Sequence, residues 1–162
     1  LSLLAGATFM DVSVTEKQIE TKQLLTERFS GVWSITYQVK SLGLTIDYTG
    51  NVYGPMRLPL LGPLDPRDEY SQWFSIQNLQ VTKKIQNTME LYLGVKNLLN
   101  FTPPSNSIAR AFDPFDKEVQ FDNEGQVIPS NNNPNGLTFD PSYVFTSNQG
   151  IRLFLGLNFV IY

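Results

Sequence analysis

From Val32 to Tyr53 apolar and polar side chains alternate residue by residue. Trp33, Ile35, Tyr37 and Val39 fall on one parity, and Val32, Ser34, Thr36 and Gln38 on the other. After Lys40-Ser41-Leu42-Gly43 the alternation resumes, with Leu44, Ile46, Tyr48 and Val52 set against Thr45, Asp47, Thr49 and Asn51. A period of two over two such runs predicts a β-hairpin with one apolar and one polar face. A second hairpin is predicted from Gln72 to Lys83 and from Met89 to Leu98, about a turn at Lys84-Ile85-Gln86-Asn87. Its return strand sets Met89, Leu91, Leu93 and Val95 against Glu90, Tyr92, Gly94 and Lys96. Its outgoing strand is mixed, because Phe74 and Ile76 share a parity with Asn78 and Gln80 while Leu79 and Val81 hold the other. Further strands are expected over Leu3 to Val14 and Ile151 to Tyr162, the last with Ile151, Leu153, Leu155, Leu157, Phe159 and Ile161 on one side.

These are about six strands of roughly 10 to 13 residues, twice the usual soluble strand and enough for a tilted membrane crossing. The connections alternate in length. Long ones are expected at Thr15 to Phe29, Gly54 to Ser71 and Phe101 to Gly150, and short ones near Lys40 and Lys84. Outer-membrane barrels carry short periplasmic turns and long outer loops, so the expected fold class is all-β, an antiparallel up-and-down transmembrane β-barrel segment. A soluble β-sandwich or lipocalin-like barrel shares the alternation. Against it stands the last connection, which carries Pro103-Pro104 and Asn131-Asn132-Asn133-Pro134-Asn135-Gly136 without a strong strand, a length uncommon in compact soluble domains. About eight strands are the minimum for closure in a membrane, so about six need partners. The simplest source is the remaining part of the same polypeptide, although another chain or further copies would also serve.

Composition narrows the function. The 162 residues are 41% hydrophobic, 12% aromatic and only 17% charged, with a net charge of −3. No basic footprint for nucleic acid exists. Without cysteine or histidine there are no disulfides, no thiolate or imidazole metal ligands and no Ser-His or Cys-His nucleophile, so no enzymatic activity is expected. The start, Leu1-Ser2-Leu3-Leu4-Ala5-Gly6-Ala7, lacks the basic and long apolar regions of a signal peptide, and the chain is expected to begin mid-protein.

The segment Leu91-Tyr92-Leu93-Gly94-Val95-Lys96-Asn97-Leu98-Leu99-Asn100 resembles the GV-x-NL-[FL]-[ND] strand end that precedes the last strands of TonB-dependent outer-membrane receptors. Gly150-Ile151-Arg152-Leu153-Phe154-Leu155-Gly156-Leu157-Asn158-Phe159 resembles that family's terminal strand. With Pro55-Met56-Arg57-Leu58-Pro59 and Tyr70-Ser71-Gln72-Trp73-Phe74-Ser75-Ile76-Gln77-Asn78, the whole chain is similar to the C-terminal quarter of such receptors, in the style seen in Bacteroidetes. It departs from the family ending in that Phe159 is followed by Val160-Ile161-Tyr162, which puts Tyr162 out of phase with Phe159. The resemblance implies the C-terminal part of a 22-stranded barrel in the outer membrane of a Gram-negative bacterium, its plug lying outside this sequence. It further implies import of a scarce ligand, such as a ferric siderophore, a cobalamin or a glycan, driven by the TonB complex. The implied partners are the remaining strands and plug, outer-membrane lipids and a surface lipoprotein lid, with no cofactor. A passive porin-like barrel is the alternative, and a soluble β-sandwich binding module a further one.

Candidate contacts follow. Arg67, flanked by Asp65, Asp68 and Glu69, suits a ligand carboxylate or phosphate, or these residues set the turns of their own loop. Arg110 joins it as a candidate ligand contact. Phe112, Phe115 and Tyr143, with Phe101, Phe121, Phe139 and Phe145, suit stacking on a flat ligand or sugar, or a small apolar core within the loop. Asp113, Asp116, Glu118, Asp122 and Glu124 offer oxygen ligands for calcium, or simply a solvated loop. Trp33, Tyr37, Tyr48, Tyr53, Trp73 and Tyr162 suit aromatic girdles at the membrane interfaces. Asp47 and Lys96, on the polar parity, are placed to pair with a plug.

Overall fold

The computed structural model describes residues 1–60, 67–85, 88–104, 120–131, 134, 136 and 144–159. Eight strands account for its regular structure: β1 (Ser2–Phe9), β2 (Ser13–Glu16), β3 (Ile19–Lys22), β4 (Phe29–Val39), β5 (Leu44–Tyr53), β6 (Phe74–Ile85), β7 (Met89–Lys96) and β8 (Arg152–Phe159). A 3-10 turn at Lys40–Leu42 joins β4 to β5. The main sheet has the order β1-β4-β5-β6-β7-β8 with every neighbour antiparallel, while β2 and β3 form a separate hairpin. The chain is therefore all-β, an up-and-down meander. β1 and β8 are its two edges and do not pair with each other.

Several boundaries differ from the sequence reading: β4 starts at Phe29, not Val32, β6 runs Phe74–Ile85, so that Lys84 and Ile85 belong to the strand and not to the turn, and β7 ends at Lys96, not Leu98. The first strand stops at Phe9, not Val14, and Val12 and Val14 belong to the connection and to β2. Asp11 breaks the alternation there, and its carboxylate binds Lys22 Nζ at 2.6 Å and Arg28 Nη2 at 3.4 Å, turning the chain away from the sheet. The long connection from residue 15 onward contains β3, reached through Lys17 and Gln18, both at positive φ (49° and 67°). Two consecutive left-handed residues give the turn that matches hairpin twist, here without the usual Asn-Gly.

Both short connections lie at one end of the sheet. Gly43, at φ 59°, ends the 3-10 turn in a conformation that costs other residues about 1 kcal/mol or more. Its carbonyl accepts from Lys84 N at 2.8 Å, which ties the β4–β5 turn to the end of β6. The three long connections emerge at the opposite end.

The register sorts the side chains. Leu3, Phe9, Phe29, Trp33, Ile35, Tyr37 and Val39 share a face with Leu44, Ile46, Tyr48 and Val52, then with Leu79, Val81, Ile85, Met89, Leu91, Leu93 and Val95, and finally with Leu153, Leu155, Leu157 and Phe159. The mixed strand is thereby resolved: Leu79 and Val81 join this apolar face, and Phe74, Ile76, Asn78 and Gln80 lie on the other. Across most of the apolar face nothing packs on these side chains among the described residues. Leu153 is 77% exposed and Leu155 69%, and among the described residues the buried hydrophobic ones are Met56, Leu58 and Phe74, all at the long-connection end. There, residues 54–60 and 67–73 run back on each other, Leu58 N donating to Glu69 O at 2.9 Å and Ser71 N to Met56 O at 2.8 Å.

Candidate binding face

The polar face is built in cross-strand rows. One row runs Thr36, Asp47, Gln80, Gly94 and Phe154. The next towards the long connections contains Thr49 opposite Asn78 and Lys96 opposite Arg152. Asp47 accepts from Thr36 Oγ1 at 2.6 Å, and Asn78 Oδ1 accepts from Asn97 N at 3.2 Å. A cavity of about 350 Å³ lies against these rows, lined by Asp47, Thr49, Asn78, Gln80, Lys96 and Phe154.

Aromatic rings on this face reach over glycines of the neighbouring strand. Phe154 covers Gly94 and Tyr92 covers Gly156, so closely that a Cβ on either glycine would stand about 2.1–2.2 Å from ring carbons. The rings fill the space a side chain would occupy, as cross-strand aromatic-glycine pairs do. Trp33 covers Gly50 in the same way on the apolar face.

At the long-connection end the polar face carries an aromatic cluster. Phe74 is buried between Tyr53 (ring centroids 5.0 Å), Phe101 (5.1 Å) and Phe145 (5.7 Å). A second cavity, of about 380 Å³, sits beside it and is lined by Glu27, Asn51, Tyr53, Met56 and Phe145 among others. Arg67 is buried nearby at 5% exposure and donates from Nη2 to Pro59 O at 2.6 Å. Its guanidinium thus serves at least partly to hold its own loop.

The base of the β7–β8 connection is closed by two asparagines from the segment that resembles the family strand end. Asn97 is buried at 3% exposure with φ 53°. Its Nδ2 donates to Phe101 O at 2.7 Å and Gln149 O at 3.2 Å, and its Oδ1 accepts from Phe101 N at 2.9 Å. Asn100, at φ 54°, accepts through Oδ1 from Ile151 N at 2.8 Å. Asparagine tolerates this left-handed backbone better than most residues, and its amide both donates and accepts.

The candidate aromatic girdle residues occupy several heights. Trp73 lies at the long-connection end of the apolar face, in a chain of rings with Phe29 (5.7 Å) and, beyond it, Phe9 (5.0 Å). Tyr37 lies near the short-turn end. Trp33 and Tyr48 sit mid-strand, 6.3 Å apart, and Tyr53 is on the polar face. Phe9 and Phe29 were missed by the sequence reading, since only the register reveals that Phe29 packs between Phe9 and Trp73.

Asp122 turns its carboxylate on its own loop, accepting from Glu124 N at 2.9 Å and Gln126 N at 2.8 Å. Among the described residues no group of three acidic side chains could hold a metal ion. Arg110, Phe112, Phe115, Phe139, Tyr143, Asp65, Asp113, Asp116, Glu118 and Tyr162 lie outside the described residues. Away from the face, Lys22 and then Arg28 hold the Asp11 carboxyl below its ordinary value of 3.8.

Comparison with family models, with curated proteins and with solved structures finds no match to this chain.

Proposed function

We propose that this chain is part of the wall of an outer-membrane β-barrel, the C-terminal strands of a TonB-dependent receptor that imports a scarce ligand. The observation that carries the membrane reading is the broad apolar face, spread over six strands, on which no large side chain among the described residues is buried and those of β1 and β8 are largely exposed. In water such a face is a liability; in lipid it is what a wall requires. The 11 residues of β4 extend about 33 Å, or about 25 Å at the tilt typical of barrels, which equals the apolar band of an outer-membrane wall.

Three linked polar side chains on the apolar face, Tyr48, Gln77 and Ser75, support the same reading. Tyr48 OH donates to Gln77 Oε1 at 2.6 Å, Gln77 Nε2 to Ser75 Oγ at 3.1 Å, and Ser75 Oγ to Asn51 O at 2.6 Å, so each is satisfied from within. That is the condition hydrocarbon imposes. Lys83, near the short turns, reaches back to the Leu42 carbonyl at the strand end, as a snorkelling lysine does. The polar face then lines the interior, with its cavities towards the long outer loops.

The TonB-dependent assignment draws on the resemblance around residues 91–100 and 150–159. Its test is uptake by cells carrying the intact protein. Transport is expected to stop when the proton gradient is dissipated, and uptake that continues identifies a passive pore instead. The membrane reading has its own test in fractionation: the protein should stay with outer membranes through alkaline carbonate extraction, and a monodisperse soluble species without detergent sinks it.

A further inference from the structure

Cross-strand pairing places Lys84 opposite Glu90 at the short-turn end of the polar face, but Lys96 opposite Arg152 at the other. Opposite charges in directly facing positions stabilise a sheet and like charges destabilise it. Neither cation of the second pair has a carboxylate within ion-pair distance among the described residues. Instead they diverge. Lys96 Nζ lies 5.5 Å from the centre of the Phe154 ring, and Arg152 Nη1 donates to the neutral Gln149 Oε1 at 2.5 Å. Both are exposed, and Lys96 borders the cavity of about 350 Å³ whose wall also carries the Thr49 hydroxyl and the Asn78 and Gln80 amides.

We infer that Lys96 and Arg152 form an oxyanion-binding site, which takes a carboxylate or phosphate group of a solute while the rest of that solute occupies the cavity against Phe154. An anion between the two converts a repulsive pair into two charge-assisted contacts, with Arg152 able to bind it through a planar fork. Asp47, on the same cavity wall, repels a second anionic group and so fixes which end of the solute meets the cations. The inference rests on the reading of this face as the barrel interior.

The test is binding of citrate and of inorganic phosphate to the purified intact protein in detergent, by calorimetry. Citrate should bind, more weakly as sodium chloride is raised. Lys96→Gln and Arg152→Gln should each weaken it about tenfold or more, the effect of losing one charge-assisted contact. Asp47→Asn, which keeps both cations, should tighten it, and unchanged or weaker binding by that variant overturns the site. Equal binding by wild type and by the Lys96→Gln/Arg152→Gln double variant overturns it too. A wild type that binds neither probe, with a double variant that unfolds more readily, assigns the cations to an internal acidic side chain and also overturns it. None of these results bears on membrane location, which fractionation decides separately.

Discussion

Replacing Asn97 by alanine tests how the long β7–β8 connection is anchored. The amide of Asn97 makes three hydrogen bonds to backbone groups of Phe101 and Gln149 in a site only 3% exposed. Each contributes about 1 kcal/mol net. Alanine at φ 53° also carries a left-handed penalty of about 1 kcal/mol that asparagine largely avoids. The expected cost is therefore about 3 to 4 kcal/mol, concentrated at the base of the connection and not spread over the sheet. A change of about 3 kcal/mol raises the open population roughly 150-fold. Limited proteolysis of the intact protein, with cleavage between residues 98 and 150 followed by mass spectrometry, reads that population when opening is fast relative to cleavage. Asn97→Gly loses the same bonds but not the backbone compatibility, so it should be about 1 kcal/mol milder. Cleavage of Asn97→Ala within threefold of wild type would refute the anchoring role.

Charge placement separates the two faces: Leu93→Arg or Leu155→Arg should cost about 2 to 4 kcal/mol in denaturant unfolding from lipid vesicles. Gln80→Arg on the polar face should cost less than about 1 kcal/mol, and equal costs would contradict a lipid-facing side. Gly156→Val drives a branched side chain into the Tyr92 ring, so it should destabilise by about 1 to 3 kcal/mol. The double variant with Tyr92→Ala should recover part of that loss in the same unfolding assay. Asp11 has a depressed carboxyl pKa, so its ion pairs support β2–β3 fully above pH 3.8 and lose that support as the pH falls through the lower, folded value. The protection of the Val14 and Thr21 amides, taken relative to the intrinsic exchange rate at each pH, should fall on acidification in wild type, and Asp11→Asn should flatten that dependence.

Where alternation was strong, in β4, β5 and β7, the sequence alone told which side chains share a face, because a period of two leaves only that arrangement on a pleated strand. In β6 the local pattern was ambiguous. Phe74 and Ile76 look like wall residues, but pairing with β5 places them with Asn51 and Tyr53, where Phe74 is buried by rings from Phe101 and Phe145. No local pattern encodes a contact between residues so far apart in the chain. The β2–β3 hairpin escaped notice because its strands are short and polar and its turn uses Lys17-Gln18, not Asn-Gly. The Lys96–Arg152 pair was equally hidden: each cation reads as an ordinary polar position until β7 and β8 are aligned.

The rings lying over Gly94 and Gly156 bear on a problem that every alternating sheet faces while it assembles. A one-residue slip between β7 and β8 is forbidden, since it would exchange their faces. A two-residue slip keeps apolar with apolar and polar with polar, so hydrophobicity alone barely distinguishes it from the native alignment. The glycines remove that degeneracy. Slipped one way, Gly94 meets Gly156, and Tyr92 and Phe154 lose their seats to Asn158 and Lys96. Slipped the other way, Tyr92 faces Phe154 and both rings leave their glycines, while Gly94 faces Arg152 and Gly156 faces Glu90. The two glycines and two rings thus act as a key for strand alignment, which hydrophobic alternation alone does not supply.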